Sequence, residues 1–215
     1  MCYHPVSKPF RLTQEKKTSL MSRIFDISSE HKNIQIDSKI NHNLLKLVEK
    51  PARYIGCELN SVIKDPGSVK LRMALAFPDI YEIGMSHLGL KILYSIANSN
   101  TDVYAERVFS PWIDMEKLMR EREIPLTTLE TKTPLNRLDI IGFSLQYELC
   151  ATNVLQMLDL SSVPILSGDR RQRDPFVIGG GPVCYNPGPL SRFFDAMVIG
   201  DGEEVIQEII RAHID

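Results

Sequence analysis

Short apolar runs alternate with stretches of helical period along most of this chain, and that alternation restricts the folds open to it. "VKLRMALAF" alternates, then turns wholly apolar, and reads as a first strand ending at Phe77. "VYAERVF" (103–109), "LDIIGFSL" (138–145), "FVIGG" (176–180) and "DAMVIG" (195–200) give four more. Between them lie helical patterns. Ser86 is placed to cap a helix carrying Gly89, Ile92, Leu93, Ile96 and Ala97 on one face. Ser110 and Pro111 are placed to open a second, with Trp112, Met115 and Met119 inward. A third turns Ala151, Val154, Leu155 and Leu158 inward. The last, "EEVIQEIIRAH", buries Val205, Ile206, Ile209 and Ile210. Strands alternating with helices predict a parallel sheet covered on both faces. Five strands, almost every one followed by a helix, fit a flavodoxin-like α/β fold of order 2-1-3-4-5 over about residues 69–215. Ahead of it, "HNLLKLVEKPARYIG" (42–56) reads as one short helix ended by Pro51 and an extended approach, within a lead-in at 41–68. Residues 1–40 show no sustained period and read as mostly disordered.

Composition narrows the function. The 215 residues are 43% hydrophobic and 24% charged, enough for one generous domain. The 25 basic and 27 acidic residues leave a formal net charge of −2, so nucleic acid exerts no global attraction and is set aside as a partner. No apolar run is long enough to span a bilayer and the N-terminus has no signal-peptide core. The chain is therefore read as cytoplasmic, without a membrane partner. Cys2, Cys57, Cys150 and Cys184 lie too far apart for metal-ligand or redox-motif spacing and read as reduced thiols.

In such a sheet, ligands bind outside the carboxyl ends of the strands, beside the switch point between strands one and three. The loops there are "PDIYEIGMSH", "SLQYE", "GGGPVCYNP" and "GDGEE". Gly179, Gly180 and Gly181 thus end a buried strand at the ligand edge, where each missing Cβ forfeits contacts and backbone entropy. Several phosphate binders can be set aside. The chain has no Walker loop. Its nearest approach to a dinucleotide fingerprint, "GDGEEV", follows the last strand, lacks the third glycine and carries carboxylates that repel pyrophosphate. Strand one is not followed by a hydroxyl-rich flavin-phosphate loop, and Ser144 stands where a receiver domain would have its acceptor Asp. What fits is a bulky ligand or domain laid across the strand ends.

"FPDIYEIGMSHLGLKILY", "DIIGFSLQYEL", "PFVIGGGPVCYNPGPL" and "FFDAMVIGDGEE", in that order, resemble the N-terminal cobalamin-binding-type domain of radical SAM proteins over roughly residues 44–215. The resemblance implies a Rossmann-like domain preceding a radical SAM barrel. That barrel holds a [4Fe–4S] cluster on a Cys-x-x-x-Cys-x-x-Cys loop, and the cluster cleaves S-adenosylmethionine to start radical chemistry. It further implies that Ser144 meets the nucleotide tail of cobalamin. Gly179 and Gly180 would let this tail pass between sheet and helix, while Gly200, Gly202 and Glu203 form the turn closing the domain before the barrel. Relatives that ligate cobalt carry Asp-x-His-x-x-Gly after strand one; here Met85 and Leu90 replace the Asp and Gly around His87, so cobalamin is expected without a protein histidine ligand. The three-cysteine loop is absent from these residues, so cluster and S-adenosylmethionine belong to a domain beyond them. The chain, ending at His213–Asp215, reads as a fragment or split product whose barrel partner lies in cis, or in trans if split. By itself it is expected to bind and to support, not to catalyse.

Plainer readings stand beside these. Close packing and a tight turn also explain Gly179–Gly181. His87 reads as a surface residue at a helix N-terminus, and Glu203 with Glu204 as helix-start carboxylates. Arg170, Arg171 and Arg173 read as a solvated loop. Cys184, without a neighbouring base, reads as structural. Asp79, Tyr81 and Glu82 follow strand one and are the polar candidates at the ligand edge. A stand-alone flavodoxin-like interaction module that has lost the ligand is the rival function. A small metal-free enzyme using Asp79 and Glu82 as acid and base is a third.

Overall fold

The computed structural model describes residues 42–214; the disorder expected for residues 1–40 lies outside them. Strands β1 (Leu71–Phe77), β2 (Val103–Phe109), β3 (Ile140–Ser144), β4 (Phe176–Gly180) and β5 (Ala196–Met197) form one sheet of order β2-β1-β3-β4-β5. All four pairings are parallel. This is the flavodoxin-like α/β architecture expected from the alternation. Helices α1 (His42–Leu45) and α2 (Ala52–Ile55) precede the sheet. Helices α3 (Tyr81–Ser86) and α4 (Leu88–Ser99) follow β1, α5 (Ile113–Glu121) follows β2, α6 (Ala151–Leu160) follows β3, and α7 (Gly202–Ile214) follows β5.

The period of two along β1 divides the core between the sheet's faces. Leu71, Met73, Leu75 and Phe77 pack against Leu90, Tyr94 and Ala97 of α4 and Ile206 and Ile210 of α7. Ala74 and Ala76 face the opposite way, toward Met115 and Met119 of α5 and Val154, Met157 and Leu158 of α6. Burial on both sides explains the near-continuous apolar runs. No helix among the described residues is long and apolar enough to cross a membrane.

Strand β2 is an edge, yet all seven of its residues are buried. Two of them carry charge. Glu106, fully buried, accepts hydrogen bonds from Arg72 Nη2 (2.8 Å), Thr128 Oγ1 (2.8 Å), and the backbone and hydroxyl of Thr131 (2.9 and 2.6 Å). Arg107 donates to Glu130 (2.7 Å), Glu58 (3.2 Å) and Ser61 Oγ (3.0 Å), and lies over the Tyr94 ring. Buried charge is tolerated because every such group is paired and hydrogen-bonded. The partners come from Arg72 of β1, from the lead-in and from residues 128–133, the last two flanking the edge. Lys64 fastens the lead-in further, donating to the carbonyls of Asn98, Asn100 and Val103 at 2.6–2.9 Å.

Several local readings need correction. Pro51 does not end a helix; it precedes α2, at a position where a missing N–H costs nothing. His87, not Ser86, caps α4, and Ser86 Oγ instead donates back to Ile83 O within α3. The buried stripe of α4 is Leu90, Tyr94 and Ala97. Helix α5 begins at Ile113 after an uncapped Trp112, while Ser110 donates to Gln156 on α6. The fifth strand is only two residues long, because the chain leaves the sheet edge after pairing with Ile178 and Gly179.

Arg170 is the largest correction. Arg171 and Arg173 are exposed as a solvated loop should be, but Arg170 is 5% exposed. Its guanidinium donates to Asp195 (2.9 Å) and to the carbonyls of Pro164, Ile165 and Phe193, while Asp195 Oδ2 accepts the Val177 amide (2.8 Å). One ion pair thus ties the loop after α6 to the start of β4 and the approach to β5. Arg170→Met should strand a buried carboxylate and cost about 3–5 kcal/mol in urea unfolding. A change within about 0.5 kcal/mol, normal for an exposed site, would restore the solvated reading.

Candidate functional site: a glycine-floored cleft at the strand ends

A cleft of about 200 Å³ lies between the sheet and helices α4 and α7 and opens at the carboxyl edge. Its floor follows from strand register. Gly142 sits between Leu75 of β1 and Ile178 of β4 in one row; one row nearer the edge Ser144 pairs with Gly180. Residues two apart share a face. Gly142 and Gly180 therefore remove side chains from adjacent strands on the face toward α4 and α7, and a trough remains. Leu93 of α4 and Val205, Ile206 and Ile209 of α7 wall it. A buried water needs about 10–15 Å³ on this measure, so the space holds on the order of a dozen or more. That is room for a flat ring system. A second hollow, about 30 Å³ beside Arg53, Tyr81, Ser110 and Lys132, accommodates only a couple of waters.

The three consecutive glycines do three different things. A Cβ on Gly179 would lie 3.1 Å from Leu145 Cδ1 and 3.2 Å from the Phe194 ring, so this glycine is absent bulk in the opposite core. A Cβ on Gly181 would come within 2.6 Å of Leu145 O, and its φ of +108° belongs to glycine-only backbone. Gly180 lines the cleft with open space where its side chain would be: a Cβ there would meet nothing nearer than Val198 Cβ at 4.0 Å. Gly142 is equally open, with only Ala74 O at 3.8 Å.

Polar groups gather at the mouth. Ser144, Gln146, His87 and the exposed Glu203 line it, with Gly200 in the turn before α7 and Gly202 as the first residue of that helix. Gly200 has φ +119°, and a Cβ on Gly202 would press on Leu93 Cδ2 at 3.2 Å, which is how α7 starts so near α4. His87 Nδ1 accepts the Leu90 amide at 3.1 Å and the ring lies 5.0 Å from Phe77. With Nδ1 occupied as an acceptor, the neutral ring carries its proton on Nε2.

Asp79, Tyr81 and Glu82 do not line the cleft. Asp79 accepts from Tyr147 Oη (2.6 Å) and from the Ile80 amide (2.8 Å). Tyr81 donates to Glu58 (3.0 Å), while Glu82 accepts from Arg53 (3.0 Å) and Lys50 (3.4 Å). Asp79 and Glu82 thus serve different partners. The Asp79 hydrogen bond, with burial, pushes the Tyr147 phenol up to about 12. Cys184 is fully buried and its thiol is pushed up to about 11, chiefly by burial, which removes thiolate character. Among the described residues no group of three or more His, Cys, Asp or Glu could hold a metal ion.

Sequence reading missed Gly142, Leu93, Gln146 and Val198. Gly142 had a signal: a lone glycine inside the most apolar strand marks a bulge or a close approach. The others depend on how α4 and α7 lie on the sheet.

Two outcomes test this geometry. In urea unfolding, Gly180→Ala should stay within about 0.5 kcal/mol of the parent, Gly179→Ala should lose roughly 1–3 kcal/mol from overpacking, and Gly181→Ala should lose at least as much. Equal losses at all three would contradict the division of roles. Asp79→Asn should move the Tyr147 titration, followed by NMR of ring-labelled tyrosine, down toward the ordinary value of about 10. An unmoved titration would show that Asp79 is not what holds the proton.

Residues 89–215 match the family model described as radical SAM proteins, N-terminal, which covers more than half of the chain. No curated protein matches it. The match begins in α4 and takes in the Ser144 and Gly180 loops together with the turn into α7. The chain accordingly belongs to the family of radical SAM protein N-terminal domains.

Proposed function

We propose that this domain is of the cobalamin-binding type, with the cleft receiving the nucleotide tail and the corrin ring lying outside its mouth. The observation that carries the reading is the trough floored by Gly142 and Gly180, open beside Ser144. Its volume of about 200 Å³ suits a flat ring system and is too small for a corrin. Ser144 and Gln146 would hydrogen-bond the tail as it turns in, and Leu75, Ile178 and Leu93 would grip its base. Bound cobalamin would supply a cobalt centre able to carry an alkyl group. His87 contributes no cobalt bond in this reading, because its Nδ1 caps α4 and its Nε2 holds the proton.

The partner is the radical SAM domain, in cis or in trans, which carries the [4Fe–4S] cluster and S-adenosylmethionine. Exposed apolar side chains crowd the same edge: Ile83 and Leu88 after β1, Tyr147 and Leu149 after β3, Tyr185 after β4 and Ile199 after β5. Such a set suits a protein surface. It equally favours the second reading, an interaction module without the ligand.

Equilibrium dialysis of the folded chain against cobalamin separates the two. Saturable uptake with no protein nitrogen in the cobalt spectrum supports the first; no uptake leaves the interaction module. Gly180→Val, which puts two γ-methyls into the trough, should weaken uptake at least tenfold, about 1.4 kcal/mol, while the melting temperature stays nearly unchanged.

A further inference from the structure

The cleft is graded from its mouth inward. Each of α4 and α7 begins at the carboxyl edge and runs back along the sheet, so its first residues lie at the mouth and later ones deeper. Histidine, serine, glutamine and glutamate side chains occur only at that mouth. Below it the surface is Met73, Leu75, Ile140 and Ile178 from the strands and Ile206 and Ile209 from α7. None of these side chains carries a nitrogen or oxygen. The amides and carbonyls beneath them are engaged in the β1–β3 and β3–β4 ladders. A ring that enters must bring little hydrogen-bonding demand on its inner edge, since a polar group buried without a partner forfeits its water for nothing.

Resting on the cobalamin reading, we infer that the depth of this cleft selects the base of the corrinoid tail. It takes an alkylated benzimidazole, whose outer edge is hydrocarbon, and rejects a purine. A purine would bury ring nitrogens and, in adenine, an exocyclic amine against Leu75, Ile178 and Ile206. The selecting residues belong to the sheet and α7 and not to the mouth, where Ser144 and Gln146 would meet the phosphate and sugar that both tails share. Discrimination of this kind arises from unpaired polar groups in the wrong ligand more than from new attraction to the right one.

The test is equilibrium dialysis of the full chain with three corrinoids: cobalamin, its adenine-base counterpart, and cobinamide, which has no nucleotide. Cobalamin should bind at least tenfold more tightly than the adenine form, about 1.4 kcal/mol, and cobinamide should bind weakest. Ile209→Gln, on the half-buried flank of α7, offers a carboxamide to the purine edge and should bring the ratio below about threefold. Equal affinity for the two nucleotide forms overturns base selection while leaving tail binding intact. Cobinamide binding as well as cobalamin, or no uptake of any of the three, overturns the tail reading and this inference with it. A tenfold preference that Ile209→Gln leaves unchanged shows that selection lies outside the cleft wall, and overturns the assignment to these residues.

Discussion

β1 is the strand on which everything else is hung. It bonds β2 on one side and β3 on the other, and both its faces are buried. A strand enclosed in this way has no backbone group left for a ligand along its length. Parallel pairing also forces every connection to cross from one edge of the sheet to the other, so loops of one kind accumulate at the carboxyl ends. The cleft sits beside β1 at that edge because the order β2-β1-β3 turns the chain in opposite directions on its two sides.

The trough is made by subtraction. Removing two side chains, at Gly142 and Gly180, opens a space that neighbouring leucines and isoleucines cannot fill without leaving their own positions in the core. Close-packed interiors do not relax into such gaps completely. The third glycine of the run works in the other direction. By admitting the Leu145 carbonyl, Gly181 lets the loop after β3 lie against the loop after β4, and the mouth keeps its shape.

The parallel fold, its strand order and four of its five strands were legible in the sequence, since a buried strand announces itself by composition as well as period. The fifth was read too long because "DAMVIG" is apolar for its full length, yet only two residues find a partner. The sequence pointed to the carboxyl edge, where the cleft opens, but shared the glycines' work evenly, since nothing in "GGG" says which way each Cα–H bond that a Cβ would replace points. Register decides that. Asp79, Tyr81 and Glu82 stood near the edge in sequence, but their side chains are turned toward Tyr147, Glu58 and Arg53. Arg170 misled for a related reason. A run of arginines looks solvated, and its partner Asp195 lies 25 residues away, where no local pattern reveals it.

The match to the family begins at residue 89, whereas the sheet begins at residue 71. A piece cut at the start of the match would lose β1, the strand that separates β2 from β3, and with it Met73 and Leu75 from the cleft floor. It would also lose Arg72, the cation paired with Glu106, and Glu58, the second carboxylate on Arg107 beside Glu130, together with the Lys64 contacts that fasten the lead-in. The span of the family match and the span of the packed sheet therefore have different borders in this protein, and the second reaches back into the segment that flanks β2.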